Sequence, residues 1–123
     1  MKPATAVIID DDVFSIRILD AALRGWRFNV VSTDRATNLT ELLKTYQPTL
    51  IIMNTAVPGL DVDAIVRFVR TDPELRAAII LLQSALDMNA LSDRARHCGA
   101  DGAILKAPSV ADFEGQLENW LSH

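Results

Sequence analysis

The chain has 123 residues, half of them apolar, which is enough for one compact domain with a sizeable core and too few for two. Its net charge of −4, with Arg67, Arg70, Arg94 and Arg96 scattered rather than striped, argues against a nucleic-acid-binding surface. A single cysteine, Cys98, excludes an internal disulfide, and no apolar run approaches the roughly 18 residues of a membrane-spanning helix.

Met1–Thr5 is too short a lead for a signal peptide, so a reducing, cytoplasmic setting is expected. The Asn38-Leu39-Thr40 sequon is then without meaning. The first expected strand, 5–10, carries Ala6-Val7-Ile8-Ile9 and runs into Asp10, Asp11 and Asp12. Asp12 is placed to cap a helix over 13–24, where Ile16, Leu19 and Leu23 form one stripe and Phe14 and Ile18 a second, opposite line. Trp26 is expected to anchor the turn into strand 28–32, the least apolar strand and a candidate edge. A helix over 37–46 carries Leu39, Leu42 and Leu43 and stops at Gln47-Pro48. Strand 50–54, Leu50-Ile51-Ile52-Met53-Asn54, ends on a carboxamide. Helix 61–70 buries Val62, Ile65, Val66 and Val69, with Phe68 flanking them and Asp72-Pro73 as the stop. Strand 78–83 leads to Ser84. Helix 87–98 carries Met88, Leu91, Ala95 and a buried Cys98, and Gly99 caps it. Strand 102–105 ends at Lys106. Helix 110–122 carries Val110, Phe113, Leu117 and Trp120/Leu121, with Trp120 packed on the sheet edge.

Strand and helix alternate five times, and the strands are apolar throughout rather than every second residue. That pattern predicts an α/β fold with a parallel sheet buried on both faces. Ligands of such sheets bind beyond the carboxyl ends of the strands. Asp10, Asp11, Asn54, Ser84 and Lys106 all fall at that edge. Crowded carboxylates need a cation, and a small set of oxygen ligands suits Mg2+, with Asp10 and Asp11 as the metal-capable acids. Lys106 can reach a dianion or pair with the acids, and Ser84 can donate a hydroxyl to a phosphoryl oxygen.

Over nearly its whole length the chain resembles the receiver domain of bacterial response regulators. The matching motifs are Val7-Ile8-Ile9-Asp10-Asp11-Asp12, Gln47-Pro48 through Asn54, Val57-Pro58-Gly59-Leu60-Asp61, Ser84-Ala85, Gly99-Ala100-Asp101-Gly102 and Lys106. The resemblance implies a flavodoxin-like (βα)5 sheet of order 2-1-3-4-5 and a Mg2+-dependent aspartyl phosphorylation site fed by a histidine kinase. It puts Asp10, Asp11 and the residue at 54 on the metal, Ser84 and Lys106 on the phosphoryl group, and Asn54 at the phosphoacceptor position. Asp61 is the alternative acceptor if the motifs are shifted.

Three positions depart from the pattern. A carboxamide at Asn54 lacks the anionic oxygen that attacks phosphorus, and it removes one negative charge, so any Mg2+ site is weakened. Ala103 stands at the strand-five switch position where the resemblance calls for an aromatic. Lys106-Ala107-Pro108 replaces Lys-Pro, and a cis bond before alanine costs about 3 kcal/mol, so Lys106–Ala107 is expected trans. A laboratory Asp-to-Asn change explains Asn54 but not Ala103. The expectation is therefore a degenerate receiver that is not an enzyme. It would act through a histidine kinase or other signalling protein, as a monomer or weak dimer, alone or beside an output domain in a longer chain. The second reading is an ordinary phosphoacceptor in Asp-to-Asn form. A flavin binder is disfavoured because the first βα turn is acidic and has no glycine cradle. The face of helix four, strand five and helix five, a common partner surface in the resembled family, is expected to show Ala90, Arg94 and His97 around Ala103. His97 itself is expected at the surface.

Overall fold

The computed structural model describes residues 4–84, 87–106 and 109–121. Five strands, β1 (Thr5–Ile9), β2 (Asn29–Thr33), β3 (Leu50–Asn54), β4 (Ile79–Ser84) and β5 (Gly102–Leu105), alternate with five helices. The helices are α1 (Val13–Gly25), α2 (Leu39–Tyr46), α3 (Val62–Thr71), α4 (Met88–Cys98) and α5 (Val110–Leu121). All strand pairs are parallel, in the order β2-β1-β3-β4-β5, which is the expected flavodoxin-like (βα)5 fold.

Successive strand residues point to opposite faces, so the apolar runs feed two cores. Val7, Ile9, Ile51, Met53, Ile80, Leu82 and Ala103 pack under α2, α3 and α4. Ala6, Ile8, Leu50, Ile52, Leu81 and Ile104 pack under α1 and α5, with Phe113 and Leu117. β2 is an edge strand, as its mixed composition suggested.

Helix α1 keeps the expected stripe, with Leu19 and Leu23 fully buried and Ile16 packed against the same core, but not the second line. Ile18 is buried with Leu19, Ala22 and Leu23, whereas Ile16 is only partly covered, so no second apolar line opposes the first. Phe14, assigned to that line, is 64% exposed. The 3.6-residue period admits both lines, and the buried face runs through Ser15, Ile18, Leu19, Ala22 and Leu23. Helix α2 begins two residues late because Asn38 adopts φ +60°, outside helical space. Gly99, at φ +90°, caps α4 in the left-handed conformation that glycine tolerates best. Cys98 is half-buried rather than buried, its thiol 3.6 Å from the Ala95 carbonyl. Trp26 is the residue that ends α1, its N–H bonded to Leu23 O at 3.0 Å.

Two side-chain devices hold the β5 margin. Trp120 lies over Gly102 so closely that a Cβ there would overlap the ring. At the end of the strand the Gln116 carboxamide grips the Leu105 peptide. Leu105 N–H donates to Oε1 at 2.8 Å, and Nε2 donates to Leu105 O at 2.9 Å. The N–H of the next residue faces the other way and takes up the bond to β4, Lys106 N to Ser84 O at 3.2 Å. Arg70 ties the opposite end of the sheet. It donates to Gly99 O, Arg76 O and Ala78 O and pairs with Asp101 at 2.7 Å, while Asp101 also accepts Ile80 N–H.

Candidate functional site

The site lies at the carboxyl end of β1, β3 and β5. Strand alternation places it: Asp10 and Asn54 follow Ile8 and Ile52 by two residues and face the same side, toward α1 and α5. Asp10 is fully buried and Asn54 is 3% exposed. Asn54 Nδ2 donates to Asp10 Oδ1 at 2.8 Å, and its Oδ1 accepts Ala56 N–H at 2.9 Å. This orientation is chemically fixed. Turned over, the amide would set N–H against N–H and oxygen against carboxylate.

Asp10 Oδ1 also accepts Asp12 N–H at 3.0 Å and lies 3.7 Å from Lys106 Nζ. Its Oδ2 has no partner. Asp12 caps α1 as expected, Oδ1 accepting Phe14 N–H and Ser15 N–H. Its Oδ2 accepts Lys106 Nζ at 3.2 Å and the Ser15 hydroxyl at 3.1 Å. That lysine hydrogen bond holds the Asp12 carboxyl below its ordinary range, with burial opposing. Lys106 thus ties the end of β5 to the start of α1, a role for Asp12 beyond capping.

The remaining sequence-predicted residues are placed less centrally. Asp11 is exposed and borders a depression with Val13, Ser32 and Arg35. Ser84 is buried at the end of β4, one residue past Gln83, the register partner of Asn54. Ala103 is 7% exposed and sits in the core under α4. Asp61 caps α3 by accepting Ala64 N–H at 3.0 Å, so it is Asn54 that meets Asp10. The Lys106–Ala107 peptide and the Ala85 of Ser84-Ala85 lie outside the described residues.

The donor set suits a divalent cation poorly as arranged. Among the described residues no three carboxylate, imidazole or thiol side chains converge. Asn54 presents N–H, not oxygen, to Asp10, and an ammonium stands beside both acids. One unpartnered oxygen, Asp10 Oδ2, keeps acceptor capacity. Sequence reasoning overlooked Gln83, which is fully buried on β4 beside Asn54. Its signal was a polar residue inside the expected strand 78–83, next to Leu82.

The expected partner face is also rearranged. Met88, Ser92 and Arg96, not Ala90, Arg94 and His97, line the groove over Ala103 with Gln116 and Trp120. His97 is at the surface as expected, but on the α3 side near Arg67 and Arg70, its Nδ1–H donating to Asp93 O at 2.7 Å. At about 100° per residue the two sets lie about two residues apart, so α4 turns nearly the opposite face from the expected one toward β5. Phe68 is half-buried against the core, leaving Phe14 and Val13 as the exposed large apolar residues beside the site. Among the described residues no helix is long and apolar enough to cross a membrane.

Comparison with known proteins agrees with this architecture. The response regulator receiver domain family matches residues 6–117. The polar-differentiation response regulator DivK of Brucella anthropi is 21% identical over 119 residues, covering 97% of both chains. The chemotaxis response regulator CheY4 of Vibrio cholerae superposes with a TM-score of 0.83 at 16% identity, over 98% of this chain and 100% of that one. The BeF3-activated N-terminal receiver domain of Klebsiella pneumoniae RstA superposes at 0.78 with 24% identity, over 97% of this chain and 99% of that one. Parallel topology, a carboxyl-edge crevice and a family match over all but the chain ends together mean that this protein belongs to the response regulator receiver domain family of two-component signalling.

Proposed function

We propose that this chain is a degenerate receiver, with Asn54 at the phosphoacceptor position, that signals through protein contacts without capturing phosphorus at that residue. The observation that carries the reading is the Asn54 amide. Both of its ends are engaged inside the protein, with Asp10 at 2.8 Å and Ala56 at 2.9 Å, and it offers no anionic oxygen. The neighbourhood supports the same reading, because Asp10 and Asp12 already draw on Lys106 and need no added cation. Mg2+ affinity is accordingly weak, and any ion would be held by Asp10, Asp11 and the Asn54 oxygen. Ala103 removes the side chain through which a strand-five switch would report. Ser84 keeps its place at the strand end without a phosphoryl group to contact.

The chain is then a binding module rather than an enzyme. It would work in the cytoplasm with a histidine kinase or another signalling protein, as a monomer or weak dimer, alone or beside an output domain. The test is incubation with acetyl phosphate, or with beryllofluoride and Mg2+, followed by intact-mass and amide-resonance measurements. No adduct and no shift are expected. A base-labile adduct on any carboxylate overturns the reading.

A further inference from the structure

A second buried carboxamide, Gln83, stands beside Asn54 on the neighbouring strand. Asp10, Asn54 and Gln83 each follow by two residues a side chain of the α1/α5 core, Ile8, Ile52 and Leu81. They form a polar row across β1, β3 and β4 on one face. Gln83 stands directly opposite Asn54 in register and is fully buried. Neither its Oε1 nor its Nε2 has a hydrogen-bond partner. Buried polar groups are almost always satisfied, so an unpartnered amide beside an altered residue calls for an explanation.

We propose that Gln83 is a second determinant of the inert state, a positioning residue acting through position 54. The inference rests on the degenerate-receiver reading. A carboxylate placed at 54 would find a free N–H2 donor on the buried side, from Gln83. Charged acceptors take such bonds strongly. The bond would hold the carboxylate inward, toward the sheet, and away from exposed Asp11, with which it would have to share a divalent cation. Restoring the acid at 54 alone therefore leaves a poor site for a cation and its phosphoryl-like ligand. Both amides have to change.

The test compares the unsubstituted chain, Asn54→Asp, Gln83→Met and Asn54→Asp/Gln83→Met. Mg2+ binding is read by calorimetry, and adduct formation by amide resonances with beryllofluoride. In Asn54→Asp the Gln83 side-chain N–H2 resonances should move downfield, and Mg2+ should bind weakly. The double variant should bind Mg2+ about tenfold or more tightly than Asn54→Asp and form the adduct, while Gln83→Met alone gains nothing. Gln83→Leu serves where the methionine variant does not fold. Affinities of Asn54→Asp and the double variant within about twofold of each other, or an unmoved Gln83 resonance, overturn the proposal. An adduct on the unsubstituted chain overturns the degenerate-receiver reading instead and is seen independently of position 83.

Discussion

Replacing Asn54 by aspartate converts a hydrogen bond into a repulsion, and its size follows from the geometry. The donor–acceptor distance to Asp10 Oδ1 is 2.8 Å, with both groups buried. Two full charges at that separation repel by about 6 kcal/mol at an effective dielectric of about 20. The protein need not bear all of that, because the new carboxyl can stay protonated. Raising its pKa from about 3.9 to an ambient pH of about 7 costs about 4 kcal/mol, which sets the ceiling. Lys106, 3.7 Å from Asp10, and the Gln83 N–H2 beside position 54 offset part of it, so a loss of about 1–3 kcal/mol is expected at neutral pH. The native form of the variant then binds more protons than its unfolded form between about pH 4 and the raised pKa, so its stability falls as pH rises. At about pH 5 the same ceiling is about 1.5 kcal/mol. Urea unfolding followed by the fluorescence of Trp26 and Trp120 measures both values. A penalty that does not change between those pH values, or a variant as stable as its parent at neutral pH, refutes the close Asp10–residue 54 contact.

Three further outcomes follow from other contacts. Lys106→Met removes the main cause of the lowered Asp12 pKa. Stability that Asp12 contributes above its ordinary value, and that is lost as pH falls through the lowered one, should disappear, flattening the acid limb of urea midpoints below about pH 4. The effect is small, because the Asp12 side chain is 43% exposed, and an unchanged limb counts against the pair. Arg70→Met should cost about 2–3 kcal/mol by denaturation, since three carbonyls and Asp101 lose their donor. A loss below about 0.5 kcal/mol would make that hub ornamental. Gly102→Ala should displace the Trp120 ring, costing about 1–3 kcal/mol and red-shifting its emission, and an unshifted spectrum would contradict the packing.

The parallel sheet and both cores were legible because continuous apolar runs such as Leu50–Met53 leave few alternatives to a sheet buried on both faces, whereas the strand order came only from the family resemblance. The crevice was legible for the same reason: Asp10, Asn54 and Lys106 end such runs. What stayed hidden depends on rotation and on side-chain pairing. On α1, Ile16 and Ile18 both fit a helical stripe with Leu19 and Leu23, and tertiary packing buries Ile18 more fully than Ile16. On α4, the phase that turns Met88 and Arg96 rather than Ala90 and His97 toward β5 is set by packing. Gln83 was overlooked because the last residue of the expected strand 78–83 reads as a solvated strand end next to Ser84. In the structure β4 continues through it to Ser84.

The grip of Gln116 on Leu105 bears on how this protein can meet others. A strand arriving at the β5 margin would need that peptide's N–H and C=O, and α5 has already claimed them, as a neighbouring strand would. Recruitment by sheet extension is closed off at this corner. Association on this flank is left to surfaces made of helices.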